Sequence, residues 1–145
     1  MAHFLTLVLV DEADPDPLAR AEQLMMPFWS RDLLDEETGR RIPNVKCDGF
    51  VVGGRYDGVI WGKEQHYSLP PEQYRERYGL DVVRPEDNLR PVSELVDDLV
   101  PYAVITPDGR WSDREGTPEQ AWRDAVRSLL AEHHTRMAVG IDCHC

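Results

Sequence analysis

Phe4-Leu5-Thr6-Leu7-Val8-Leu9-Val10 is a run of strand-favouring residues that stays apolar at both alternating parities before Asp11-Glu12-Ala13-Asp14 closes it. A strand with one wet face alternates polar with apolar, whereas one buried on both faces does not. This segment is therefore expected at the middle of a sheet. It is too short to cross a bilayer and carries no basic flank, so it reads as neither a membrane span nor a signal peptide.

The elements that follow are predicted from local signals. Asp16 caps a helix whose first position is Pro17, where a missing N–H costs nothing. Leu18, Ala21, Leu24, Met25 and Phe28 form its apolar face. Residues 30–48 show no period and read as a solvated connection. Phe50 to Trp61 reads as a second strand region, broken at Gly53-Gly54 by a hairpin turn or a bulge. Residues 62–100, with Pro70, Pro71, Pro85 and Pro91, read as an excursion with short helices near 72–78 and 93–99. Tyr102 to Thr106 is a third strand, turned by Pro107-Asp108-Gly109 into a return beginning at Arg110-Trp111. Thr117-Pro118-Glu119-Gln120 predicts a capped helix start, with Trp122, Ala125, Val126, Leu129 and Leu130 facing the core. His133 and His134 fall in its last turn. Met137 to Cys143 is the last strand.

This order predicts one α+β domain over residues 1–145. The expected form is a ferredoxin-like split βαβ sandwich: an antiparallel sheet with two helices on one face, and residues 62–100 inserted between strands 2 and 3. In that topology the first and last strands lie side by side and antiparallel, which brings His3 near Asp142, Cys143 and His144.

Composition narrows the function classes. The 145 residues carry 27 acidic and 16 basic side chains, a formal net charge of −11, with no basic stripe. Binding to a phosphate backbone depends on lysine and arginine displacing counterions, so a nucleic-acid partner is not expected. Hydrophobic residues make up 41% and charged residues 30%, a globular balance. Three cysteines, Cys47, Cys143 and Cys145, form no disulfide framework, and a reducing cytoplasm is the expected setting.

Ala2-His3-Phe4, Gly53-Gly54-Arg55-Tyr56-Asp57-Gly58, Tyr102 through Trp111 and the ending Ile141-Asp142-Cys143-His144 together carry a resemblance. In their order and placement the chain resembles a family of small uncharacterised proteins of phages, prophages and bacterial genomes. That family tends to hold tryptophans around the Gly-Gly-Arg stretch, where this chain has Cys47, Phe50 and Tyr56. The resemblance implies a genomic context and no mechanism.

Four constellations carry candidate chemistry. His3, Asp142 and His144 share a strand face, and two imidazoles with a carboxylate suit zinc or another divalent ion with a position left open for water. Cys143-His144-Cys145 is half a structural zinc site with no second cysteine pair, and Cys143 reads as a small core residue. Gly53 and Gly54 with Arg55 and Tyr56 form a candidate anion contact: glycines expose backbone N–H groups and the guanidinium forks a phosphate or carboxylate. The same stretch also reads as a glycine bulge. Tyr56, Trp61, Tyr67, Tyr74, Tyr78 and Trp111 either fill a core or line a helix-free sheet face. Acidic runs at 11–16, 35–37 and 86–87 read as solvated loops.

Three functional readings follow. One is an accessory protein of phage or mobile-element type that binds a host or phage protein or a small anionic ligand. Another is a metal-dependent hydrolase acting on a nucleotide or phosphate ester through His3, Asp142 and His144, with Arg55 as anion contact. The third is an acidic mimic of nucleic acid. No recognisable catalytic motif decides whether the chain is an enzyme.

Overall fold

The computed structural model describes residues 2–63, 70–78 and 85–145. A single six-stranded sheet organises them. Its strands are β1 (His3–Val10), β2 (Gly49–Val52), β3 (Leu89–Pro91), β4 (Ala103–Ile105), β5 (Trp111–Asp113) and β6 (Met137–His144). The order is β2-β6-β1-β4-β5, with β3 also paired to β6. The helices are α1 (Pro17–Met25), α2 (Pro71–Tyr78) and α3 (Glu119–Glu132).

As expected, β1 is central with β6 as its antiparallel neighbour, and β6 is central too, flanked on its other side by β2 and β3. Their register runs from His3 opposite His144 to Val10 opposite Met137. The α+β character also matches. The arrangement around that pair departs from the antiparallel, one-faced sandwich expected from the sequence. β1 pairs in parallel with β4, while β4 and β5 form the expected hairpin. α1 and α3 lie on opposite faces of the sheet. Ala21 and Met25 of α1 pack with Val8, Val10, Ile105, Val139 and Ile141, whereas Trp122 and Val126 of α3 pack with Leu7, Leu9, Val104 and Ala138. The cause is the double-sided apolarity of β1, which offers each helix its own face to bury. With both faces covered near the centre, aromatic residues have no bare sheet to decorate. Trp111 instead packs against Phe28, with ring centroids 5.1 Å apart.

Local expectations divide in the same way. Asp16 caps α1 through a bond from the Ala19 N–H (3.2 Å), ahead of Pro17. Gly109, at φ 85°, closes the β4–β5 turn. α3 begins without the predicted capping box: Pro118 is the cap residue, and Gln120 bonds Asp124 one turn on. Ala125 is exposed rather than core-facing. The predicted second strand stops at Val52 and gives way to two 3-10 turns, over Gly54–Tyr56 and Val59–Trp61. Where a helix is expected at 93–99, a single 3-10 turn spans Val92–Glu94. Tyr67 and the side chains of Tyr74 and Tyr78 lie outside the described residues.

Candidate functional site

Strand alternation puts His3 on one face of β1 and Asp142 and His144 on the same face of β6, while Phe4 and Cys143 point the other way. The register then makes His3 and His144 direct cross-strand neighbours, with ring centroids 4.8 Å apart and planes inclined at 64°.

Each imidazole is held by its own carboxylate. His3 Nδ1 lies 2.8 Å from Asp142 Oδ1, and His144 Nδ1 lies 2.8 Å from Asp48 Oδ1. An ionised carboxylate only accepts, so each ring donates through Nδ1, which leaves Nε2 as the nitrogen turned away from the carboxylate. Both rings are about a quarter exposed, at 25% and 29%, so the site stands at the protein surface and not in the core.

Asp142 is buried, and both of its oxygens are occupied. Oδ1 receives His3, and Oδ2 receives the backbone N–H of Arg55 at 2.9 Å. The residue expected as a third metal ligand thus has both oxygens hydrogen-bonded within the protein. Asp48 is the residue sequence reasoning missed. It lies just before β2 in the stretch without period, and its N–H donates to His144 O at 2.9 Å. That bond fixes the carboxylate beside the ring.

The Gly53-Gly54-Arg55-Tyr56 stretch adjoins this site, and its Arg55 N–H bonds the protein's own Asp142 carboxylate. Gly53 and Gly54 both have positive φ, 78° and 53°. Four other N–H groups of the loop serve internal partners: Gly53 to Gly140 O, Tyr56 to Gly53 O, Asp57 to Gly54 O, and Gly58 to Asn88 Oδ1. Asn88 in turn donates to Asp57 Oδ1 at 3.0 Å and anchors the loop from β3's side. Arg55 is exposed, and Tyr56 is half-buried near Asp142. Burial, and then the Asp142 charge, push the Tyr56 hydroxyl above the ordinary phenol range.

The cysteines lie apart from this chemistry. Cys47 and Cys143 share the apolar cluster beneath α1, and Thr6 Oγ1 sits 3.3 Å from Cys143 Sγ. The contact with Cys47 and the burial push the Cys143 thiol up, so it stays protonated and unreactive. Among the described residues, no group of three or more His, Cys, Asp or Glu side chains is arranged to hold a metal ion. None of the described helices is long and apolar enough to cross a membrane.

No protein-family model matches the chain. No curated protein and no solved structure matches it either.

Proposed function

We propose that the paired Asp–His units at the end of β1 and β6 bind a small anionic ligand of the phosphate-ester class and hydrolyse it by acid–base catalysis. One observation carries this reading: two imidazoles, 4.8 Å apart, each have Nδ1 on a separate carboxylate. A carboxylate on Nδ1 sets the tautomer and aims the ring, which leaves Nε2 to move the proton.

In the step this supports, the neutral imidazole takes a proton at Nε2 from a water as its oxygen attacks phosphorus. The bond from phosphorus to the ester oxygen breaks, and the other imidazole, in its protonated form, gives its Nε2 proton to that oxygen. Water and ester become phosphate and alcohol, and the two histidines exchange protonation states.

The test is turnover of p-nitrophenyl phosphate and bis(p-nitrophenyl) phosphate by tag-free protein in chelator, beside His3→Ala and His144→Ala. General acid–base groups contribute about 10²–10⁴-fold each, so either variant is expected to lose at least about a hundredfold with its fold intact by circular dichroism. Rates that match the wild type in both variants rule the reading out.

A second reading, the metal-dependent hydrolase, has one supporting observation of its own. Metal-ligating histidines regularly give their other N–H to a carboxylate, as both do here. Zinc would then meet the Nε2 atoms of His3 and His144, with water completing its shell and Asp142 and Asp48 behind the rings. Activity abolished by chelator and restored by zinc, with elemental analysis showing zinc lost in His3→Ala/His144→Ala, separates this reading from the metal-free one.

A further inference from the structure

Beside His3, a cleft of about 310 Å³ opens where Ala2 and Cys145 exchange backbone hydrogen bonds of 2.9 and 3.0 Å. Its size is at the low end for small-molecule sites, which run to about 300–1,000 Å³. Three kinds of wall meet there. Phe4, Tyr102 and Trp111 supply a half-buried aromatic surface, with Phe4 4.8 Å from Tyr102 and 6.3 Å from Trp111 between ring centroids. Lys46 and Arg41 border it with positive charge, at the strand end that carries His3. Asp113 and Glu115 border it with negative charge. Asp113 already accepts from Trp111 Nε1 (2.7 Å) and from the Glu115 N–H (2.9 Å), which leaves the Glu115 carboxylate as the acceptor on that side.

We propose that this cleft holds the nucleoside of a nucleoside monophosphate, with the base on the Phe4–Tyr102–Trp111 wall, an exocyclic N–H on Glu115, and the phosphate at Lys46 and Arg41, next to the strand end that carries His3. A bare phosphate uses only the cations. A purely apolar acid offers Glu115 no donor, whereas the N–H edge of a base does. A long polyanion meets the chain's net charge of −11, whereas a single phosphate group needs only the local cations. A ligand with one anionic end, a flat apolar ring and N–H donors on the ring edge satisfies all three walls. The inference rests on reading the histidine pair as a phosphate-ester site, and it adds which ester.

The full chain is titrated with adenosine monophosphate, cytidine monophosphate, ribose 5-phosphate and inorganic phosphate, followed by ¹⁵N–¹H shifts and tryptophan fluorescence. The same series is run on Lys46→Ala, Tyr102→Leu and His3→Ala/His144→Ala. One nucleotide or both should bind at least about tenfold more tightly than ribose 5-phosphate, with the largest shifts at Tyr102, Trp111 and Glu115. Tyr102→Leu should remove that advantage and leave ribose 5-phosphate binding unchanged, while Lys46→Ala, on an accessible side chain, should weaken both. Equal affinity for nucleotides and ribose 5-phosphate, or a full advantage surviving Tyr102→Leu, overturns the proposal. A retained nucleotide advantage without hydrolysis, equal in the double histidine variant, removes the hydrolytic reading and keeps the cleft. Histidine-dependent hydrolysis of ribose 5-phosphate, bound as tightly as either nucleotide, removes the cleft and keeps the hydrolysis.

Discussion

Gly54 lies so close to Asp142 that a side chain at position 54 would have its Cβ 2.7 Å from the Asp142 Cβ and closer still to Oδ2. The glycine also holds φ +53°, a left-handed conformation that side chains resist. The loop can therefore press its Arg55 N–H onto the carboxylate only with glycine there. Gly54→Ala is expected to destabilise the protein by about 1–3 kcal/mol and to release Asp142 from His3. Urea unfolding measures the first, and the His3 ¹⁵N shifts measure the second. An unchanged midpoint with unchanged shifts contradicts this account of the loop.

Asp142→Asn tests the orienting role in a nearly isosteric change. Asn can still accept from Arg55 through its carbonyl oxygen, but then it turns an amide N–H₂ toward His3 Nδ1. The ring is driven to the other tautomer, its Nε2 now carries the proton, and the base is gone. Phosphate-ester turnover should fall by about a hundredfold or more while substrate binding stays near wild type. Asp48→Asn should act likewise through His144. A loss confined to KM in both variants argues that the carboxylates only shape the surface.

The central strand pair was legible because β1 is apolar at both parities and β6 carries small and β-branched residues, and strand alternation then placed His3, Asp142 and His144 on one face. The same double apolarity hid the allocation of helices. A strand with two greasy faces does not say which face takes α1 and which takes α3, and the parallel β1–β4 pairing was hidden with it. β3 was missed because Leu89-Arg90-Pro91 is three residues ending in proline within a proline-rich stretch, a pattern that argues against a strand. Asp48 was missed because it is brought to His144 by one backbone bond across β2 and β6, and no local period marks such a residue. The Gly-Gly pair did signal close backbone approach. That the group approached is Asp142, 87 residues from Arg55, is a tertiary fact.

Cysteine chemistry should sort by burial. Cys145 is partly exposed, whereas Cys47 and Cys143 are fully covered. The Cys143 thiol is pushed up by its contact with Cys47 and by burial, so its reactive thiolate is scarcer at neutral pH than that of an ordinary cysteine. Iodoacetamide at pH 7.5, read by peptide mass spectrometry, should modify Cys145 first and leave Cys143 intact until the protein is unfolded in urea. Native Cys143 reacting as fast as Cys145 contradicts the buried pairing beneath α1.

Tyr56 and Tyr102 both have hydroxyls that resist ionisation in the folded protein. Burial pushes both hydroxyls above the ordinary phenol value, with Asp142 adding to it at Tyr56 and Asp113 and Glu115 adding at Tyr102. A folded-state pKa above the unfolded one means the native state favours the protonated phenol. The associated stability is fully present below the unfolded tyrosine value, about 10, and is lost as pH rises through the higher folded values. The urea midpoint should therefore decline above about pH 10, alongside a late phenolate absorbance rise. Tyr56→Phe and Tyr102→Phe cannot ionise, so each should flatten part of that decline, and the double variant should flatten most of it. A midpoint that falls equally steeply in the double variant places the alkaline loss elsewhere in the molecule.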